Sequence, residues 1–172
     1  EYYQIPLSFL EMEQAKELLT EKSQSVLFQF QSSKQEGIIY DAALDESFHQ
    51  TLLQLVDRRR IIPATEGKLK AYPGKYFRKV YNLISKFEHS HLLTTEQSNS
   101  SILYDRQLIL KIFRKLGEGT NPDLEIVRYI TENTNYKNVP AFAGALEYQK
   151  KDGSQVTLGI LYPYVPSEGN AW

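Results

Sequence analysis

Leu108-Ile109-Leu110-Lys111-Ile112-Phe113 is an apolar, partly β-branched run with a lysine in its middle. The composition predicts a buried strand. An ammonium buried there without a partner is strongly destabilising, so Lys111 requires solvent, a carboxylate or an anionic ligand.

Toward the N-terminus of this run, residues 101–104 and 92–96 have the composition of two further strands. Asp105-Arg106 makes a tight turn between 101–104 and the lysine strand, and the polar Gln97-Ser98-Asn99-Ser100 links the other two. Toward the C-terminus, Gly117-Glu118-Gly119-Thr120 breaks the pattern. Asn121 then caps a helix, Pro122 takes its first position and Asp123 complements its dipole. Leu124, Val127, Ile130 and Thr131 trace the core stripe of this helix, broadened by Ile126, while Glu125, Arg128, Tyr129 and Glu132 share a flank. From this spacing Glu125 either pairs with Arg128 on the surface or turns inward toward the preceding strand. Val139-Pro140 forbids continuation of the helix. Two strands follow, at 143–149 and 156–162, joined through Asp152-Gly153. The order predicts a five-stranded antiparallel sheet crossed by one helix.

Before His89 the pattern is mixed. Residues 2–7 read as a strand, and Ser8 as the cap of a helix through Met12, Ala15, Leu18 and Leu19. Residues 26–31 alternate as a half-buried strand, 32–35 turn and 37–40 form its partner. Asp45 caps a helix through Phe48, Leu52, Leu55 and Val56 that ends in Arg58-Arg59-Arg60, whose simplest reading is a solvated helix end rather than a binding patch. Residues 67–72 suit another strand, and Tyr76-Phe77-Arg78-Lys79-Val80-Tyr81 fits either period. No βαβ rhythm or nucleotide fingerprint occurs. The expectation is an α+β layer, a mostly antiparallel sheet with helices on one face.

A chain of 172 residues, 41 % of them hydrophobic, supports a packed core. Twenty Lys+Arg against 21 Asp+Glu give a net charge of −1, which provides no global field to recruit nucleic acid or an anionic membrane. Without cysteine there is no disulfide framework and no thiolate metal site. His89-Ser90-His91 alternate as strand ligands would, but no third ligand is evident, so no metal ligand is assigned. No apolar run reaches membrane-spanning length and the start lacks the features of a signal peptide, so a soluble, cytoplasmic protein is expected. The first residue is not methionine, and the chain stops at Gly169-Asn170-Ala171-Trp172 without a polar tail, as in a piece of a longer protein.

A strand lysine followed by a helix glutamate resembles the small lobe of protein-kinase-like folds, in which such a pair holds the α- and β-phosphates of ATP. Four stretches sharpen the likeness: Glu96-Gln97-Ser98-Asn99-Ser100-Ser101, Leu108-Ile109-Leu110-Lys111-Ile112-Phe113-Arg114, Asn121-Pro122-Asp123-Leu124-Glu125-Ile126 and Val139-Pro140-Ala141-Phe142-Ala143-Gly144-Ala145-Leu146-Glu147-Tyr148. They resemble successive motifs of the maltokinases, kinases often fused behind trehalose synthase, which use ATP to convert maltose to maltose 1-phosphate for α-glucan synthesis. The likeness covers residues 95–172. It is looser before them, where Gln4-Ile5-Pro6-Leu7 and the element order are similar to the family's cystatin-like cap. At the tail, Ser167-Glu168-Gly169-Asn170 stand where the family commonly has Asn-Gln-Gly-Asp.

The resemblance implies a cap subdomain over residues 1–88 and an ATP-binding small lobe over 89–172, with the catalytic large lobe absent from this sequence. It implies that Lys111 holds ATP phosphates and Glu125 orients Lys111. Ser98, Asn99, Ser100 and Ser101 would cradle phosphates where most kinases carry a glycine-rich loop, and Pro163, Tyr164 and Val165 would present main-chain groups to adenine. Mg²⁺ ligands and the catalytic base belong to the large lobe, so these residues alone are expected to be inactive. The partners implied are ATP, maltose, that lobe and a fused trehalose synthase. The competing expectation is a non-enzymatic cystatin-like or carbohydrate-associated interaction module, using a tyrosine-rich face that the sequence does not locate.

Overall fold

The computed structural model describes residues 1–81, 89–93 and 98–166. In chain order the elements are β1 (Tyr2–Tyr3), β2 (Leu7–Glu11), α1 (Lys16–Glu21), β3 (Val26–Gln31), β4 (Glu36–Asp41), α2 (Glu46–Asp57), β5 (Ile61–Ala64), β6 (Gly67–Pro73) and α3 (Phe77–Tyr81). They continue as β7 (Ser90–Leu93), β8 (Asn99–Tyr104), β9 (Leu108–Phe113), β10 (Lys115–Leu116), α4 (Pro122–Asn133), β11 (Gly144–Lys150) and β12 (Gln155–Pro163). The fold is α+β, mostly strands with few helices.

Two compact units result: Ile5–Asp45 is one, and Glu1–Gln4 with the chain from Glu46 onward is the other. In the smaller unit a three-stranded antiparallel sheet runs β2-β4-β3. Its core is Ala15, Ile38 and Tyr40, with Leu10, Met12, Leu18, Leu19, Val26 and Leu44 packed around them. Ser8 does not cap a helix. Residues 7–11 pair with β4 from Leu7↔Asp41 to Glu11↔Gly37, and the helix starts only at Lys16. Met12, Ala15, Leu18 and Leu19 match a helical period, but β4 offers an edge whose backbone groups need partners, and the pairing extends over the preceding residues.

The larger unit is built on an antiparallel sheet with strand order β5-β6-β11-β12-β9-β8-β7. Strands at the five expected places lie together in it, the first of them described only as far as Leu93, but among the described residues the sheet has seven strands. The β5–β6 hairpin continues it beyond β11, with Ala145 opposite Tyr72 and Glu147 opposite Lys70. An unpaired β11 edge would leave a row of backbone donors and acceptors exposed, and the hairpin satisfies them. The division expected between residues 88 and 89 touches the undescribed residues 82–88, and strands from both sides of it share this sheet.

Alternation along the strands separates two cores. Leu110, Ile112, Leu146 and Leu161 pack with Leu52, Leu53 and Val56 of α2, whereas Phe113, Ala145 and Ile160 pack with Leu124 and Val127 of α4. Helices therefore cover both faces, not one. On the α2 side His49 is buried, its Nδ1 3.0 Å from the Ser90 hydroxyl, and the Tyr104 hydroxyl donates to its carbonyl at 2.9 Å. His49 is a structural residue there. At the end of α2, Arg59 takes φ +51° and the Arg60 N–H donates to Leu55 at 3.0 Å, a left-handed cap made without glycine. The start of α4 follows local chemistry as expected: Asn121 Oδ1 accepts the Asp123 N–H at 2.8 Å and Pro122 needs no partner. Asp105 and Arg106 both have positive φ in the β8–β9 turn. Among the described residues no helix is long and apolar enough to cross a membrane.

Candidate functional site

Because β9 alternates, Leu108, Leu110 and Ile112 enter the α2-side core while Lys111 and Phe113 face α4. Lys111 sits in register between Ser101 of β8 and Ile160 of β12. Its Nζ lies 3.3 Å from Asp123 Oδ2 and 5.4 Å from the centre of the Phe113 ring. The stem is sheltered and the head is open: the lysine side chain is 29 % exposed and the aspartate 54 %. An ion pair this open stabilises the fold by about 0–1 kcal/mol, so an anionic ligand can compete for the lysine at small cost.

Glu125 is not that partner. Leu124 is fully buried under α4, so its neighbours Asp123 and Glu125 lie about 100° to either side of it. Asp123 falls on the β9 flank and Glu125 is exposed. Arg128 does not pair with Glu125 either. Its Nη1 donates to the Tyr72 hydroxyl oxygen at 3.1 Å, and that hydroxyl donates to Glu147 Oε2 at 2.7 Å. Glu147 is only 4 % exposed, and its Oε1 has no donor among the described residues. Burial, reinforced by the Glu147 carboxylate, pushes the Tyr72 phenol far above its ordinary value. Burial does the same to Tyr162, with the negative charge of Asp123 adding to it, which places a neutral phenol beside the lysine's partner.

The phosphate-loop residues divide. Ser98 is exposed and accepts from Asn99 Nδ2 at 3.2 Å, whereas Gln97 lies outside the described residues. Asn99, Ser100 and Ser101 belong to β8, the two serines being buried, with the Ser100 hydroxyl accepting from Arg114 Nε at 2.7 Å. They are part of the sheet and not of a loop. At the end of β12, Pro163 pairs with Leu108 and carries no N–H, and the Tyr164 N–H is taken by the Gln107 carbonyl at 2.8 Å. Val165 is exposed.

These residues fit a nucleotide in part. Lys111 of β9 and Asn99 of β8 lie on neighbouring strands, two residues apart in register, so one polyphosphate can meet both. An adenine ring would find no free N–H at 163 or 164 and would rely on carbonyls and Val165. For Mg²⁺, no group of three or more His, Asp or Glu side chains that could hold a metal ion occurs among the described residues.

Sequence reading missed Asp123 as the lysine's partner and missed the relay of Arg128, Tyr72 and Glu147. Glu147 carried a usable signal: like Lys111, it is a charge directly following an apolar residue in the interior of a strand. No model of a known protein family matches the sequence.

Proposed function

We propose that this chain carries the cap and the ATP-binding small lobe of a maltokinase-like cytoplasmic sugar kinase, which transfers the γ-phosphate of ATP to the anomeric hydroxyl of maltose. The observation that supports this reading best is the open ion pair between the strand lysine Lys111 and the helix carboxylate Asp123, 3.3 Å apart on a sheet whose neighbouring strand β8 begins at Asn99, directly after Ser98. An ammonium held by an exposed carboxylate stays charged and mobile, which suits a group that must reach phosphate oxygens. In this reading Asp123 takes the orienting role that the family resemblance gives to Glu125, and the unit Ile5–Asp45 corresponds to the cystatin-like cap. The base and the Mg²⁺ ligands come from a large lobe, so these 172 residues alone make no maltose 1-phosphate.

The test is formation of maltose 1-phosphate from ATP and maltose by these residues joined to such a lobe, comparing wild type with Lys111→Met. The expected loss in kcat is at least about 10²-fold, the scale for removing one group that stabilises transition-state charge. Near-normal turnover in the variant would overturn the role of Lys111. A wild-type protein that consumes no ATP in the presence of maltose would overturn the kinase reading.

A further inference from the structure

Strand β1 pairs with β10, Tyr2 opposite Leu116 and Tyr3 opposite Lys115, and the Gln4 N–H continues the pairing to the Arg114 carbonyl at 2.8 Å. Between this ribbon and the β11–β12 hairpin lies a cavity of about 250 Å³. Leu116, Val156 and Leu158 supply aliphatic surface, and Tyr2, Tyr3 and Tyr148 supply three aromatic rings. The Lys150 ammonium stands 5.4 Å from the centre of the Tyr2 ring and 3.9 Å from Glu118 Oε1.

We propose that this cavity binds one pyranose ring of a neutral glucan. Its size lies just below the range of about 300–1,000 Å³ that holds drug-sized ligands, which suits a single ring. Tyr2 and Tyr3 are 63 % and 60 % exposed, so although the Lys150 ammonium stands over the Tyr2 ring, most of both side chains is left uncovered by the fold. A pyranose combines an apolar C–H face, which lies flat on such a ring, with a rim of hydroxyls that both donate and accept. Lys150 supplies donors and Glu118 an acceptor at the cavity's edge. Because these two charges neutralise each other, a charged ligand gains no net attraction there, whereas a neutral polyhydroxyl ligand finds both kinds of partner. The site involves none of Lys111, Ser98 and Asn99, so it stands or falls separately from nucleotide binding.

The experiment is titration of the ¹⁵N-labelled 172-residue chain, without nucleotide, with maltotetraose, cellotetraose and an uncharged leucine-rich tetrapeptide, followed by amide shifts. Saturable shifts with at least one of the two glucans are expected at Tyr2, Tyr3, Leu116, Tyr148 and Leu158, with a Kd of about 1 mM, as for a single shallow contact. Tyr148→Ala weakens binding at least about tenfold, or about 1.4 kcal/mol. Tyr129→Ala, which removes an exposed tyrosine of α4, leaves it unchanged. Should Tyr148→Ala lose its native spectrum, Lys150→Ala takes its place and is expected to weaken binding severalfold. Three results would overturn the site: no saturation by either glucan in the millimolar range, sugar shifts centred elsewhere, or saturation by the peptide alone.

Discussion

Helix α4 is tied to its sheet by two polar contacts of opposite character. At its first turn Asp123 meets Lys111 in the open, with more than half of the carboxylate side chain exposed. Five residues on, Arg128 reaches the Tyr72 hydroxyl and through it a carboxylate, Glu147, that solvent scarcely touches. The difference lies in what can replace each contact. Water or an anion substitutes for Asp123 at Lys111, whereas no solvent reaches Glu147 to make up for a lost phenol. The same helix is thus anchored at one point and left exchangeable at the other.

The sharpest way to break this contrast is to remove the buried phenol's oxygen. Tyr72→Phe leaves Glu147 Oε2 and Arg128 Nη1 without their shared partner and is expected to destabilise the chain by about 2–4 kcal/mol in urea unfolding. Adding Glu147→Leu to that variant removes the uncompensated carboxylate and recovers part of the loss. A double variant no more stable than Tyr72→Phe would show that the carboxylate is not the source of the cost.

Alkaline pH probes the same site without mutation. Tyr72, Tyr162 and Tyr104 are all pushed above the ordinary phenol value of 10.0, in each case chiefly by burial. The folded chain therefore keeps protons that the unfolded chain releases. This contribution is fully present below pH 10.0 and is lost as pH rises toward the folded values. Unfolding free energy is expected to fall steadily above about pH 10, and less steeply in Tyr72→Phe, which titrates one proton fewer. Parallel slopes for the two proteins would place the Tyr72 phenol in solvent.

At the first turn the cap outweighs the ion pair. Asn121→Ala removes the side-chain acceptor for the Asp123 N–H and is expected to cost about 1 kcal/mol. A value below a few tenths would mean that water caps this end equally well.

The capping motif was legible because its chemistry is local: Asn121, Pro122 and Asp123 each act within one turn. The lysine strand was legible for a similar reason, since six consecutive residues carry its composition, and its bounds at Leu108 and Phe113 match the expectation. The width of the sheet was not. Whether β6 joins a separate subdomain or the edge of β11 depends on contacts such as that between Tyr72 and Glu147, 75 residues apart, which no local pattern encodes. Strand β2 was hidden because Met12, Ala15, Leu18 and Leu19 suit a helix, and only the pairing of Leu10 with Ile38 reveals where that helix must begin. At the site, the sequence showed that Lys111 needs a carboxylate but not which one. Asp123 and Glu125 flank the same buried leucine, and the choice follows from the side of α4 on which β9 lies.

That choice gives the smallest effect in this series and separates the two carboxylates. Asp123→Asn is expected to change stability by less than about 1 kcal/mol, as for other exposed pairs, and Glu125→Gln by less than about 0.5 kcal/mol. Stability therefore barely distinguishes them, but the mobility of the lysine does. With its partner neutralised, the Lys111 ammonium loses its tether toward α4, and ¹⁵Nζ relaxation is expected to show faster motion in Asp123→Asn and no change in Glu125→Gln. Under the proposed kinase function the same asymmetry carries over to turnover, with Asp123→Asn lowering kcat and Glu125→Gln leaving it near wild type. The opposite pattern, a silent Asp123→Asn and a damaging Glu125→Gln, would mean that α4 turns by roughly half a revolution when nucleotide binds, since about 200° separates the two side chains around the helix.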